Sequence, residues 1–287
     1  MRLLTITFLI ASTSLFAQDV TETFNSTRIV NCHSTESLGL SQWEYRIEHR
    51  FGDFAGAGGG AQTAFGFDQA ADIRFAFENG INERWMVGFA RNKGINNPYR
   101  SLLEGFSKFQ LARQNKERKM PISASLNLEG YYTYMEKSTD PESVSFFPRD
   151  IHRFSFASQL IVARKMSDRL SLALIPSYIH RNYVANNDVN GLFSIGGAMN
   201  MKLTKSMGVV LEYFYNLEPG GGLRPNAINS LGIGYEFITN GHNFTINLTN
   251  ARGFGAVQYI ALNQSDWLQG QFRLGFSIAR TFKIRRK

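Results

Sequence analysis

The chain has 287 residues, 43% of them hydrophobic and 19% charged, with a formal net charge of +8 and a single cysteine. The charge is modest and spread along the chain apart from the closing KIRRK, and no basic run carries interleaved aromatics, so nucleic acid is not an expected partner. Cys32 alone excludes an internal disulfide, and no haem-attachment or zinc spacing surrounds it, so neither cofactor nor metal is expected.

The N-terminus reads MRLLTITFLIASTSLFAQD. Arg2 precedes a short apolar run that ends in Ser and Ala before a cut after Ala17, the pattern of a Sec signal peptide (residues 1–17) with a core too short to span a membrane. Leu15 is larger than the small residue usual before such a cut, and no Cys follows the cut to carry a lipid anchor. Residues 18–40 form a second segment, with two settings open to it: the periplasm, or the lumen of a barrel as a partial plug. Past the signal no long apolar helix is encoded, so a membrane location requires a closed sheet.

The stretch SQWEYRIEHRF, residues 41–51, opens the strand region. Alternation puts Trp43, Tyr45, Ile47, His49 and Phe51 on one face and Glu44, Arg46, Glu48 and Arg50 on the other. Such a strand suits a soluble sheet that buries its apolar face, or a membrane barrel that turns that face to lipid. Similar alternation recurs over residues 69–81, 85–93, 102–113, 120–136, 150–166, 170–183, 191–203, 207–217, 227–238, 242–251 and 269–283, which makes about twelve strands.

The connections alternate in kind. INER, QNKERK, MSDR, LTKS and ITNG are tight and polar, whereas GDFAGAGGGAQTAFGFD, KSTDPESVSFFPRD, LEPGGGLRPN and ARGFGAVQYIALNQSDWLQG are long and rich in Gly or Pro. Two shorter members, KGINNPY and ANNDVN, complete the second class. Short turns at one rim and long loops at the other are the asymmetry of outer-membrane barrels. Strand lengths sufficient to cross a bilayer, and aromatics near strand ends such as Trp85, Tyr132, Tyr178, Tyr213 and Tyr235, favour the barrel over a soluble sheet. The expected architecture is therefore all-β: residues 41–287 as a closed antiparallel transmembrane β-barrel of about 12 strands in the outer membrane, with periplasmic turns and extracellular loops.

In the last strand Phe272, Leu274, Phe276, Ile278 and Phe282 share one face, an aromatic-ended pattern expected to be read by the barrel-assembly machinery during insertion. Arg280 falls on the same lipid-side face, close enough to the rim to reach water. Alternation directs Glu44, Arg46, Glu48, Arg50, Asp72, Arg74, Glu78, Glu104, Lys108, Glu129, Arg153, Arg181, Glu212, Glu236 and Arg273 inward. Those charges either shape the field of a pore or brace one another as cross-strand pairs, and bracing is the favoured reading for the first strands. Later strands turn small residues inward, Gly208, Gly232, Gly234, Gly275, Ser277 and Ala279, leaving room for water, a solute or the N-terminal segment.

No catalytic residues are assigned. His33, His49, His152, His180 and His242 are scattered, and GLFSIG around Ser194 lacks the spacing of a nucleophile elbow. The loop AGAGGGA has the composition of a phosphate cradle without its Lys-Ser/Thr, so flexibility is the better reading. Loop aromatics Phe146, Phe147, Phe254, Tyr259 and Trp267 either meet a ligand or pack the loops over the mouth.

Several stretches resemble a family of uncharacterised outer-membrane β-barrel proteins of the Bacteroidota: STRIVNCHSTESLGLSQWEYRIEHRFGD, FGFDQAADIRFAFENGINERWMVGFARN, GFSKFQLARQ, LTNARGF and FRLGFSIARTF, in that order. The resemblance implies a barrel and a location but no substrate. It also implies Gly where this chain has Cys32. The leading functional expectation is a narrow charge-lined pore for passive transport of small solutes. The alternative is a closed barrel serving as a structural or binding partner in an envelope complex, with a membrane-embedded lipid hydrolase third. Expected partners are outer-membrane lipid, the assembly machinery and a small solute.

Overall fold

The computed structural model of the chain describes residues 22–69, 72–94, 97–115, 119–186, 188–217 and 227–284. The expected signal peptide, most of the LEPGGGLRPN loop and the last three basic positions lie outside them. Twelve strands run β1 Gln42–Arg50, β2 Asp72–Asn82, β3 Trp85–Lys93, β4 Ser101–Ala112, β5 Ser123–Thr133 and β6 Phe154–Lys165, then β7 Leu170–Arg181, β8 Gly191–Lys202, β9 Met207–Leu217, β10 Ser230–Thr239, β11 His242–Thr249 and β12 Arg273–Lys283. Each pairs antiparallel with its chain neighbour, and β1 pairs with β12 to close the barrel, Trp43 opposite Phe282 and Arg50 opposite Gly275.

Period-two patterning decides which way each strand faces. Charged and polar positions are buried inside, while Phe77, Phe89, Leu174, Phe193 and Ile246 stand 53–60% exposed on the outer wall. A soluble protein would lose the burial of that surface; in a bilayer it meets hydrocarbon. Leu274, Phe276, Ile278 and Phe282 belong to this outer set, and Arg280 lies among them beside His242, its guanidinium 3.3 Å from the ring Nε2. His49 also faces out, stacked on Phe276 at 5.2 Å.

The strands are mostly two to four residues shorter at their loop ends than alternation suggests, because the extra residues leave the sheet to enter the loops. Arg153 is one consequence, and it corrects the expectation that it lines the lumen. It sits in a 3-10 turn, Asp150–Arg153, above β6, where it donates to the carbonyls of Thr133 (3.2 Å) and Met135 (2.7 Å) and covers the Phe147 ring. At the short-turn rim, β10 and β11 are joined through Asn240-Gly241, with Gly241 at φ 91°, where glycine carries no Cβ penalty. Gly80 serves a close approach instead. A Cβ there would stand 2.0 Å from the Gly39 carbonyl oxygen, where the N-terminal segment crosses the rim into β1.

Candidate functional site

The interior of the barrel is occupied by two pieces of the chain itself. From the short-turn rim comes the N-terminal segment. RIVNCH folds into a tight hairpin, its strands bridged at Arg28 and His33, with Ile29 N–H donating to Cys32 O and Ser34 N–H to Thr27 O, both at 2.9 Å. From the long-loop rim, the connection between β11 and β12 dips inward and forms a single helical turn, α1 Ala256–Tyr259, packed against β6 and β7. Residues 27–34 are buried, as are 253–262 apart from Leu262.

The hairpin tip is built around one wall residue. A tight turn aims successive backbone N–H groups in one direction, a concavity suited to an anion. Here the anion is the Glu212 carboxylate of β9, reached by Val30 N (3.1 Å), Asn31 N (2.8 Å), Cys32 N (3.2 Å) and the Cys32 thiol (3.1 Å). Opposite the tip, β10 has Gly232, where a Cβ would meet Val30 Cγ1 at 3.0 Å. Burial and the Glu212 carboxylate push the Cys32 thiol well up from its ordinary value, so it carries almost no thiolate. Burial beside the Arg28 guanidinium holds the His33 imidazole well below its usual range, and its ring tilts against Phe106 at 4.6 Å.

Charges on β1–β4 hold each other and then the hairpin. Arg74 forks onto Glu104 (3.1 and 2.6 Å) and reaches Glu48 at 2.5 Å. Arg46 meets Glu44 at 2.5 Å and lies 3.9 Å from Glu78. Onto this wall the hairpin adds Arg28, 3.3 Å from Glu48, and the Thr27 hydroxyl, 3.2 Å from both Glu44 and Glu78. Lys108 donates to the carbonyls of Thr27 and Ser34, both at 3.2 Å, and Glu236 accepts from Asn25 (3.0 Å) and from Asn200 of the wall (2.8 Å). Because Arg74 leaves two buried carboxylates behind when removed, Arg74→Leu is expected to cost about 3–5 kcal/mol. The check is the temperature at which the folded barrel loses its fast migration on a semi-native gel.

The loop insert is fixed as densely. Tyr131 accepts from Ala256 N–H at 2.7 Å and donates to Glu129, Gln159 donates to the Tyr259 hydroxyl at 3.1 Å, and Asn216 to Ile260 O at 3.1 Å. Arg50 joins both inserts: it donates to Ala251 O (3.1 Å), to Gly253 O and to the Asn31 side chain, with its guanidinium 4.3 Å over the Phe254 ring. Arg28 completes the clasp, donating to Phe254 O at 2.8 Å. Near the long-loop mouth, Arg181 forks onto Asp188 (2.8 and 2.9 Å), Arg252 lies 3.2 Å from Asp72, and Arg273 caps Asn250 O at 3.0 Å.

Apart from Arg153, every charged position directed inward by alternation is buried within the barrel. What alternation does not supply is the third kind of wall. Ile161, Ile175, Ile179, Leu192, Val210 and Phe214 line β6–β9 from inside and form one apolar core with Phe24, Ile29 and Val30 of the hairpin and Val257, Tyr259 and Ile260 of the loop. Phe254 and Tyr259 are therefore buried packing groups and Phe147 is buried under Arg153, whereas Trp267 is exposed. Ser194 faces inward and donates to Tyr215 O at 2.9 Å, while His180 lies on the outer wall beside Tyr178.

Comparison with known proteins follows the same line. No curated protein matches the sequence. Among solved structures, the NanC porin superposes with a TM-score of 0.50 at 8% identity, covering 84% of this chain and 100% of that one. The KdgM porin gives 0.49 at 7% identity, covering 85% and 99%, and an outer-membrane channel from Pseudomonas putida F1 gives 0.46 at 10%, covering 86% and 98%. At 8% identity the likeness to the NanC porin is one of fold alone. The family described as "Membrane bound beta barrel domain (DUF5777)" matches residues 24–282, a span that takes in the hairpin, the loop insert and every strand but for the last residue of β12, and the chain belongs to that family.

Proposed function

We propose that the protein is a narrow outer-membrane pore for small polar solutes that rests closed. The observation that carries this is how the lumen is filled: by two chain segments held through hydrogen bonds and packing, not by the wall side chains that fill an eight-stranded barrel. Segments held in that way are able to leave. Their departure would open a lumen polar on most of its circumference, and would also wet the apolar inner wall of β6–β9, which is why the closed state is the resting one. On this reading the chain is exported through residues 1–17 to a Bacteroidota outer membrane, and the assembly machinery inserts it by reading β12 through Phe276 and Phe282.

With both inserts out, Glu44, Glu48, Asp72, Glu78, Glu104, Glu129, Glu212 and Glu236 outnumber Arg46, Arg50, Arg74, Lys108, Arg181 and Arg273 on the wall. The open level is therefore expected to favour cations, and Arg46→Gln or Arg50→Gln to strengthen that bias, read as a shift in reversal potential in a salt gradient across a planar bilayer. A protein verified as inserted that never conducts, even without its inserts, would sink the proposal. The apolar contact between inserts and wall favours a second reading, a permanently closed barrel that works through its outer or loop surface with an envelope partner. That outcome would leave it standing.

A further inference from the structure

At the long-loop end of β3 and β4 the outer wall carries two cations where its neighbours carry aromatics, and a third is exposed at the rim beside them, its carbonyl accepting from Gly94 N–H at 3.1 Å. Arg91 and Lys93 point to the lipid side of β3, opposite Leu103 and Ser101 of β4, and Arg100 immediately precedes β4. All three are exposed and none forms an ion pair with a described residue, in contrast to Arg181 and Arg252 at the same end of the barrel. Glu136, the nearest acid along the chain from Tyr134, is exposed and pairs with none of them. Arg91 is oriented: its Nε donates to the Tyr134 hydroxyl at 2.8 Å, and Tyr134 is tied to the same spot by its N–H on Ser101 O at 3.0 Å.

One side-chain row deeper into the hydrocarbon band, the register runs Phe89, Gly105, Gly130, Phe156 across β3–β6. A Cβ on Gly105 would touch nothing within 4 Å, and one on Gly130 would only graze Phe156 at 4.0 Å. Two aromatic rings thus flank a shallow trough directly beneath the cations. An unpaired Arg or Lys at a membrane rim is stabilised by anionic headgroups, and an apolar trough below it suits an acyl chain.

We propose that this face binds one phosphate-bearing glycolipid of the outer leaflet, its phosphates on Arg91, Lys93 and Arg100 and one acyl chain in the trough between Phe89 and Phe156. The assignment rests on the outer-membrane orientation proposed above, with the long loops outside. A free phosphate fits less well, because the site is exposed to water and lacks any buried donor.

The test is native mass spectrometry of the detergent-purified, full-length barrel, folding being verified for each variant by heat-dependent gel migration. Probes are lipid A, its dephosphorylated form, phosphatidylglycerol and inorganic phosphate. The expected result is one lipid A retained, at least tenfold weaker retention of the dephosphorylated form, and a similar loss in the R91Q/K93Q/R100Q variant. Filling the trough with G105L/G130L is expected to weaken retention while R84Q/R169Q, at the opposite rim, leaves it unchanged. Equal retention by the triple variant, or displacement of lipid A by millimolar inorganic phosphate, would overturn the site. Preference for phosphatidylglycerol, lost in the triple variant, would overturn the outer-leaflet source and the orientation with it, while the pore proposal would still be decided by conductance.

Discussion

Removing residues 22–38 and shortening the 250–264 loop together is expected to convert a largely silent protein into one with long-lived, discrete conductance steps, while either change alone leaves it nearly silent. The two inserts enter from opposite rims and meet mid-barrel, where Arg28 bonds Phe254 O and Arg50 bonds Asn31. They therefore close the lumen in series, and either insert left in place still blocks the path at its own level. The wall survives without them because the pairs Arg74–Glu104, Arg74–Glu48 and Arg46–Glu44 are within the sheet. Full conductance after a single removal would mean that each insert fills only part of the bore. Planar-bilayer recording of the three variants, each checked for heat-dependent gel migration, separates these results.

A second large effect is expected at Glu212. Its carboxylate is the shared acceptor for the hairpin tip, so Glu212→Gln replaces a charged acceptor of three backbone N–H groups by one carbonyl and an amide that offers them two more hydrogens. Hydrogen bonds to charged groups contribute about 1.5–3 kcal/mol each, and losing about 3 kcal/mol from the closed state raises the released population roughly a hundredfold. The reporter is built in. Cys32 is the chain's single thiol, buried and held protonated in the closed state, so a maleimide reacts slowly with the native protein and is expected to react about a hundredfold faster in Glu212→Gln. Unchanged labelling would mean that the tip is held by the apolar core alone.

The barrel was legible in the sequence because lipid demands apolar side chains at every second, outward position, and on the first strands a one-residue slip would turn Glu44–Arg50 outward. Strand positions and the inward charges follow from that constraint, and the two rims follow from the alternation of short polar turns with long loops. Filling of the lumen was open only as one of two settings for residues 18–40 and was not read for 250–264, because neither stretch obeys a period: their conformation is dictated by Glu212, Arg50 and Tyr131, which lie far away in sequence. A signal was nevertheless present. SLALIPSYI on β7 carries aliphatic residues on both faces, and an inner face that sets Ile175 and Ile179 among the small Ser171, Ala173 and Ser177 is one that packs against something other than water. Arg153 was misplaced for the opposite reason: alternation runs on past the last paired residue, whereas the sheet stops where its hydrogen bonds do.

The Arg50 clasp also has a bearing on how the molecule is made. Arg50 ends the first strand, and the Gly253 carbonyl it holds lies 203 residues later, in the last loop before the final strand. Contacts of such separation form late, after the intervening loops have been closed. Until β12 zips onto β1, this guanidinium lacks its carbonyl acceptors in the last loop, and an incomplete barrel has a cation there still to be satisfied. The clasp thereby ties the first strand to the last loop, so that the contacts of Arg50 are complete only once the two ends of the barrel have met.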